Sequence, residues 1–388
     1  MPVSPAERDF RIDGGNIPST AGIADGLVQE RAMDIIFAVS KPIPVEEIIA
    51  NIDIASRTAL SEGTTSITEP GIGTIQGIGN SPLDLHAYLT ARERGVLGVR
   101  AQVMPYITTV AEVLAGHEDH GYALSLGART GLGDDWVKIG PLKVLTDGSL
   151  IGRSAAMTCC YHEDTTSGFM AWEAAELEPI LRGAHAAGFR LAAHAIGDLA
   201  VEQVLDIYER LQRDLPRPDA RHRIEHLSVV SDAQIARVAA LGVIPVPQGR
   251  FISELGDGVI RAMGPDRLPL AYRFKSLLDA GIEVPGSSDT PVVDGSPILG
   301  IHDLVNRRTA GGIPFVPEES ISAAQAVHAY TVGSAYASCE EKDKGMIAPG
   351  MLADFVVLSD DLLQVAADRI NTVEVTMTVV GGKVAYTA

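Results

Sequence analysis

The sequence predicts an α/β protein built as a (β/α)8-type TIM barrel with a small C-terminal β appendage. Short apolar runs alternate with amphipathic helical stretches at intervals of roughly 25–35 residues, which is typical of a parallel sheet. Seven such runs suit a barrel better than an open sheet. The chain has 388 residues, more than the about 250 that a full barrel needs.

Each element follows from a local pattern. Residues 1–30 are rich in Gly, Pro, Asp and Ser and are expected to be irregular. A first helix is predicted from Pro44, whose missing N–H costs nothing in a first turn, to Gly63. The predicted strands cover residues 64–68, 99–105, 136–145, 190–194, 223–226, 243–246 and 282–286, and further helices cover 83–94, 172–187, 231–241 and 270–280.

Two helices carry predicted caps. Asp198 is expected to cap a helix whose apolar positions from Val201 to Leu211 keep a period of 3.6, and Ser231 is expected to cap the next one. After a helix over 323–338 the sequence becomes β-rich, and Gly381–Gly382 is typical of a two-residue hairpin turn. We therefore predict a barrel over residues 1–340 and a remnant of a small β-sandwich domain over 341–388.

Composition excludes several classes of function. The net charge is −19 and no basic stretch offsets it, which argues against binding to nucleic acid or to an anionic membrane. No apolar run reaches the ~18–20 residues of a membrane span, and no signal peptide is visible. Three cysteines are too few for a disulfide framework. We expect a cytoplasmic protein with a small-molecule substrate; a homo-oligomer is left open.

Four polar residues end apolar runs and precede turns that contain glycine or serine: Lys143, His194, His226 and Asp289. Parallel strands that end at one face of a barrel bring such side chains to a common site. Two histidines, a lysine and an aspartate can hold and use a divalent metal. His222 begins the strand that His226 ends, so we expect it at the opposite end of the barrel in a structural role.

Six stretches from about residue 136 onward carry a family resemblance. They are "LKVLTDGSLIGRSAAM", "HAIGDLAVEQVL", "RHRIEHLSVVSDAQIARVAALGVIPVPQ", "GSSDTPVVDGSPILGIHDLVNRR", "AVHAYTVGSAYAS" and "KGMIAPGMLADFVVLSDD". In this order they resemble the metal-dependent amidohydrolases, in particular the YtcJ-like branch that includes the N-substituted formamide deformylases. The resemblance implies a TIM barrel of the amidohydrolase kind.

The resemblance also implies roles for the four residues. Lys143 would be carboxylated on Nζ and bridge two metals, His194 and His226 would bind one metal, and Asp289 would bind the other and act as general base and acid. The implied reaction is hydrolysis of an amide or N-formyl C–N bond by a metal-activated hydroxide. One or two divalent ions, zinc first, suit these ligands.

Neighbouring residues are candidates for substrate contact. Asp147, Arg153 and Gln248 lie on loops that follow predicted strands, and we interpret them as substrate-binding. Glu69, at the end of the first predicted strand, is a weaker candidate for the same rim.

One departure from the family pattern limits the prediction. Members carry a His-x-His pair at the end of the first barrel strand, and this sequence contains none. We therefore expect that the chain lacks the first strand and the N-terminal half of the small β domain, and that its activity is impaired. Two alternatives stay open: a catalytically inactive barrel with a binding or structural role, and a barrel enzyme that uses a Schiff-base lysine.

Overall fold

The computed structural model describes residues 10–20, 22–112 and 122–388. Five short strands occupy its start: β1 (Phe10–Ile12), β2 (Gly15–Ile17), β3 (Ser19–Thr20), β4 (Ile23–Ala24) and β5 (Gln29–Glu30). β1, β2 and β5 form an antiparallel sheet, and β3 pairs with β4. The prediction of irregular structure is therefore wrong for the described residues up to Glu30. Strands of two or three residues are too short to show a hydrophobic period in the sequence. Residues 1–9 and 21 lie outside the described residues.

The next elements begin the parallel sheet. They are α1 (Asp34–Ser40), α2 (Val45–Ser61), β6 (Ser66–Ile72), α3 (Asp84–Glu93) and β7 (Arg100–Pro105). The predicted helix from Pro44 is confirmed, with Pro44 directly before its first turn and Gly63, at φ 82°, just beyond its end. β6 and β7 pair in parallel, and α2 and α3 cover them with a small apolar core.

The predicted strand over 136–145 is broken in two. After β8 (Ala111–Glu112) and β9 (Tyr122–Ala123), which pair antiparallel, come β10 (Val137–Ile139) and β11 (Leu142–Leu145). Gly140 and Pro141 interrupt the strand, because proline cannot donate to a ladder. β10 pairs with β7, whereas β11 begins the next sheet. This stretch therefore joins two parallel sheets, and a parallel bridge from Tyr106 to Lys143 ties them again.

The second sheet carries the βα repeat that the sequence predicts. Its elements are α4 (Ala174–Ala186), β12 (Leu191–Ala195), α5 (Asp198–Asp214), β13 (Arg223–His226), α6 (Asp232–Leu241) and β14 (Ile244–Val246). β11, β12, β13 and β14 lie side by side in parallel. Ser231 forms a capping box with Gln234, which confirms that prediction. Asp198 does not cap α5: its carboxylate accepts the backbone N–H of Thr158 at 2.9 Å.

The remaining helices are α7 (Phe251–Glu254), α8 (Gly256–Arg267), α9 (Phe274–Asp279), α10 (Pro297–Asn306), α11 (Ala323–His328) and α12 (Ser334–Ser338). The prediction of a strand at 282–286 is wrong. The Gly286 N–H donates to the carbonyl of Ala329, which lies between α11 and α12, instead of to a neighbouring strand. Within the described ranges, no helix is long and apolar enough to cross a membrane.

The chain ends in an antiparallel sheet of β15 (Phe355–Leu358), β16 (Val375–Val380) and β17 (Lys383–Thr387). Gly381 and Gly382 form the hairpin turn, both at positive φ, as predicted. The sheet packs on α2, where the Thr378 hydroxyl donates to the Leu60 carbonyl at 2.7 Å. The division into domains at residue 340 stays a prediction.

Candidate active site

The structure brings the predicted lysine and histidines together at the ends of β11, β12 and β13. In the register of the sheet, Leu145 pairs with His194 and Ala195 pairs with His226. The two imidazole rings meet edge to face, with centroids 4.4 Å apart. Lys143 lies two residues before Leu145, on the same face of β11, and is 3% exposed. The ends of the three strands thus build one largely buried cluster.

His194 has one ring nitrogen committed to the protein. Its Nε2 lies 3.1 Å from the Gly148 carbonyl oxygen and 3.3 Å from the Asp147 carboxylate. A carbonyl can only accept, so Nε2 carries the hydrogen. Among the described residues, Nδ1 of His194 has no hydrogen-bond partner, which leaves its lone pair free for a ligand.

His226 also has one ring nitrogen bonded to the protein, but here it is Nδ1 rather than Nε2. Its Nδ1 lies 2.7 Å from Oε1 of Gln248, and the Gln248 amide donates to the Val246 carbonyl at 2.7 Å. This second bond orients the amide, so Nδ1 carries the hydrogen and Nε2 has no partner in the described part of the chain. Metal-ligating histidines characteristically donate their other ring N–H to such an acceptor.

Burial sets the protonation of these groups. It lowers the pKa of His194 and of His226 to about 3, with the Lys143 charge contributing to both. Both rings are therefore neutral near pH 7, the form that binds metal. Burial also lowers the pKa of Lys143, against opposing effects of Glu225 and Asp289. Within the described ranges, the Lys143 side chain forms no ion pair and no hydrogen bond.

Asp289 follows the 282–286 segment and lies near the cluster, but among the described residues it does not form a metal-binding group with the two histidines. Its carboxylate is close enough to oppose the effect of burial on the pKa of Lys143 and of His226. Asp289 has a left-handed backbone with φ 62°, and His226 has φ 74°. Such conformations are uncommon for residues other than glycine and cluster at functional sites.

Glu225 is a site residue that sequence reasoning missed. Arg223 contacts its carboxylate through two nitrogens at 2.8 and 2.9 Å, in a buried pair. Burial raises the pKa of Glu225, but Arg223 and Lys143 outweigh it and hold the pKa below its usual range. The available signal was "RIEH", because charges two apart on a strand share a face.

The predicted substrate contacts have partners within the protein. Asp147 accepts backbone N–H groups of Ala156, Ile196 and Gly197 at 2.8–3.0 Å, and burial raises its pKa to about 7 against these bonds. Arg153 forms an ion pair with Asp164. Gln248 orients His226, as described above. Their roles as substrate contacts stay predictions.

Glu69 does not join the Lys143 cluster. Burial raises the pKa of its carboxyl to about 7, and the groups that also act on it are Tyr88 and Asp84 of α3. It therefore faces the helix layer rather than the rim of the sheet.

The donor set fits a metal ion only if Lys143 takes part. No three side chains drawn from His, Cys, Asp and Glu come together as a metal-binding group in the described residues. The two free imidazole nitrogens and the unpaired lysine are the donors that the ends of β11, β12 and β13 offer. A carboxylated lysine would supply the oxygen that such a site lacks.

Comparison with known proteins identifies the class. The model of the amidohydrolase family matches residues 17–386, and the chain belongs to this family. Membership confirms the predicted resemblance and the predicted class of enzyme, a hydrolase of the amidohydrolase type.

Particular relatives agree with this class. The chain is 29% identical to the putative amidohydrolase YtcJ of Bacillus subtilis over 380 residues, which are 96% of this chain and 68% of that protein. It is 29% identical to LONG AFTER FAR-RED 3 of Arabidopsis thaliana, covering 97% of this chain and 64% of that one. It is 32% identical over 201 residues to the N-substituted formamide deformylase of Arthrobacter pascens, covering 51% of this chain and 37% of that one. The chain thus spans about two thirds or less of these relatives' lengths.

A solved structure agrees with the fold. An uncharacterized metal-dependent hydrolase from Pyrococcus horikoshii OT3 matches with a TM-score of 0.73 and 29% identity, over 89% of this chain and 66% of that one. Together with the parallel sheets, this likeness gives a TIM-barrel-like fold. Closure of the barrel and the predicted absence of a first strand stay predictions.

Proposed function

We propose that this chain carries the active site of a metal-dependent hydrolase that cleaves the C–N bond of a small amide or N-formyl substrate. One observation carries the proposal. His194, which is 14% exposed, and the buried His226 lie on neighbouring strands and each donates one ring N–H to the protein. Among the described residues, the other nitrogen of each ring has no partner, and neither does the side chain of the buried Lys143. Family membership supports the reaction class, and the neighbour from P. horikoshii, a metal-dependent hydrolase, supports the use of a divalent ion.

We propose zinc as the ion and a closed (β/α)8 barrel as its frame. Neutral imidazole nitrogen and carboxylate oxygen are ligands that zinc accepts. His194 and His226 would supply the nitrogens. Lys143 would supply the oxygen after its neutral amine attacks CO₂ and loses a proton; burial favours this neutral amine by lowering its pKa. When bound, the ion would lower the pKa of water and polarise the substrate carbonyl.

The chain's own residues provide positioning and proton transfer. The Gly148 carbonyl accepts the N–H of the His194 ring, and the side-chain oxygen of Gln248 accepts that of the His226 ring. These two bonds hold the rings in position. Asp289 takes the proton from the attacking water and delivers it to the nitrogen of the departing amine, which is otherwise a poor leaving group. Burial of the cluster strengthens each of these electrostatic interactions.

The test combines metal content with turnover. Protein purified with zinc present is analysed by mass spectrometry of metals and assayed for amine release from a panel of N-substituted amides and formamides. We expect zinc to be retained, and activity to be lost with a chelator and restored by zinc. Less than ~0.1 metal per chain, with no turnover, would favour the inactive barrel, because an assembled zinc site retains its ion. Borohydride trapping with a carbonyl substrate would reveal a Schiff-base lysine instead.

Asp289→Asn separates proton transfer from folding. Turnover should fall by about 10²–10⁴-fold, because general acid–base catalysis contributes that much. The circular dichroism spectrum should stay unchanged, and Asp294→Asn, at an exposed position of the same loop, is the matched control. Retained activity in Asp289→Asn would remove Asp289 from the mechanism.

A further inference from the structure

Glu30 reaches from the N-terminal segment to the edge of the candidate site. It ends β5 with the uncommon backbone angles φ 53° and ψ −130°. Its Oε1 accepts the hydroxyl of Ser154 at 2.7 Å, across 124 residues of sequence. Among the described residues Glu30 has no basic partner. A strained residue with one long-range contact suggests a function for that contact.

The contact bears on the turn that follows β11. The Ser154 hydroxyl oxygen accepts the Ser149 N–H at 2.9 Å. A Cβ on Gly148 would lie 2.2 Å from Oγ of Ser154 and 2.3 Å from Oε1 of Glu30, so the turn packs directly against this pair. The Gly148 carbonyl in turn accepts Nε2–H of His194 at 3.1 Å. Glu30 is therefore linked to His194 through Ser154 and the turn.

We propose that Glu30 is a positioning residue: through Ser154 and the 147–149 turn it holds the Gly148 carbonyl where it orients the His194 ring. Glu30 also lines a pocket together with Leu145, whose register partner is His194. The proposal rests on the proposed function, which makes His194 a metal ligand. Loss of the Glu30 carboxylate would release the Ser154 hydroxyl, let the turn move, and leave Nδ1 of His194 poorly aimed.

The test compares Glu30→Ala, Glu30→Gln, Ser154→Ala and the double variant Glu30→Ala/Ser154→Ala in the full chain. Glu176→Ala, an exposed acid near the same segment, is the control. The readouts are the Kd for zinc from chelator competition, kcat and KM, and the tautomer of His194 from ¹⁵N NMR of the metal-free protein.

We expect Glu30→Ala and Ser154→Ala each to raise the Kd for zinc and lower kcat about tenfold, with KM little changed, since loss of outer-shell support costs 10–100-fold. Glu30→Gln keeps an acceptor for Ser154 and should stay near wild type. The double variant should be no worse than either single one, because both act on one path. In the wild type the His194 hydrogen resides on Nε2, whereas Glu30→Ala should give a mixture of tautomers.

The proposal fails if Glu30→Ala matches Glu176→Ala in zinc affinity and in the His194 signal, or if the effects of Glu30→Ala and Ser154→Ala add. Should Glu30→Ala not fold, Ser154→Ala and Glu30→Gln decide by the same measurements. If the wild type hydrolyses no amide, the proposed function fails, but zinc affinity still reports on Glu30. If the wild type binds no zinc, the His194 tautomer alone decides.

Discussion

Two pairs of histidines lie at opposite ends of β12 and β13, and they differ in whether every ring nitrogen has a hydrogen-bond partner. His185 and His222 meet at 2.8 Å through Nδ1 and Nε2, His185 Nε2 lies 2.7 Å from the Leu215 carbonyl, and the Leu191 N–H donates to Nδ1 of His222 at 3.1 Å. All four ring nitrogens of this pair have partners. His194 and His226, at the carboxyl ends, leave one nitrogen each without a partner in the described structure.

The comparison shows that a lowered pKa does not by itself identify a site. Burial lowers the pKa of all four histidines. The proton pattern separates the pairs. Leu191 donates to His222, so His222 must donate to His185, and His185 to Leu215. Every donor is matched, which is how buried polar groups in a structural role behave. The site pair instead retains free acceptors.

The largest expected effect is the loss of turnover when His194 or His226 is replaced. His194→Gln or His226→Gln should lower turnover more than ~100-fold and remove tightly bound zinc, since even outer-shell losses cost up to that factor. His86→Gln, on the exposed surface of α3, is the control. Near-normal turnover in either site variant would end the distinction between the two pairs.

Substitution in the pair His185 and His222 should lower the stability of the fold rather than the binding of zinc. His222→Ala leaves the Leu191 N–H and His185 Nδ1 without partners and opens a cavity, so the free energy of unfolding should fall by about 2–4 kcal/mol. Urea denaturation measures this loss, and zinc per folded chain should not change. A fall in zinc content at full stability would contradict the structural role.

Substitution of Gln248 tests whether its hydrogen bond to Nδ1–H of His226 contributes to zinc binding. Gln248→Leu removes the acceptor of Nδ1–H of His226, and we expect zinc affinity to fall about tenfold. Chelator competition gives the Kd, with the exposed Gln364→Leu as control. An unchanged Kd would return Gln248 to its predicted role in substrate contact.

The smallest effect is a pH dependence. Since the folded pKa values of His185 and His222 lie below the unfolded value of about 6.5, the unfolded chain binds more protons below that pH. The contribution of these two histidines to the free energy of unfolding is fully present above pH 6.5. It should fall as the pH drops toward 5, by up to about 1.4 kcal/mol per pH unit for each histidine. His222→Ala should show a shallower slope than His86→Gln, and equal slopes would refute this account.

Sequence alone predicted the elements whose pattern is local. The strand at 223–226 and the Ser231 cap match the structure, because apolar runs and caps depend on neighbouring residues. The 282–286 segment misled because its apolar run says nothing about whether a partner strand lies alongside. The predicted cap at Asp198 was wrong because a carboxylate at the start of a helix can bind another loop, here by accepting the Thr158 N–H.

The site divides in the same way. Lys143, His194 and His226 could be predicted to converge, since strand ends of a parallel sheet share an edge. The roles of Glu225 and Gln248 depend on side-chain direction, and that of Glu30 on a contact across 124 residues. The pattern "RIEH" places Glu225 and Arg223 on one face of a strand, but no sequence pattern encodes a contact across 124 residues.

The buried pair between Arg100 of β7 and Asp354, just before β15, has a consequence for how the chain unfolds. The two side chains bond at 2.6 and 3.1 Å and are 4% and 2% exposed, and the Gly381 N–H adds a third bond to Asp354. Removing one partner of such a pair strands a buried charge, at a cost of about 3–5 kcal/mol. The terminal sheet is therefore coupled to the parallel core, and the two regions should melt as one cooperative unit rather than as separable modules.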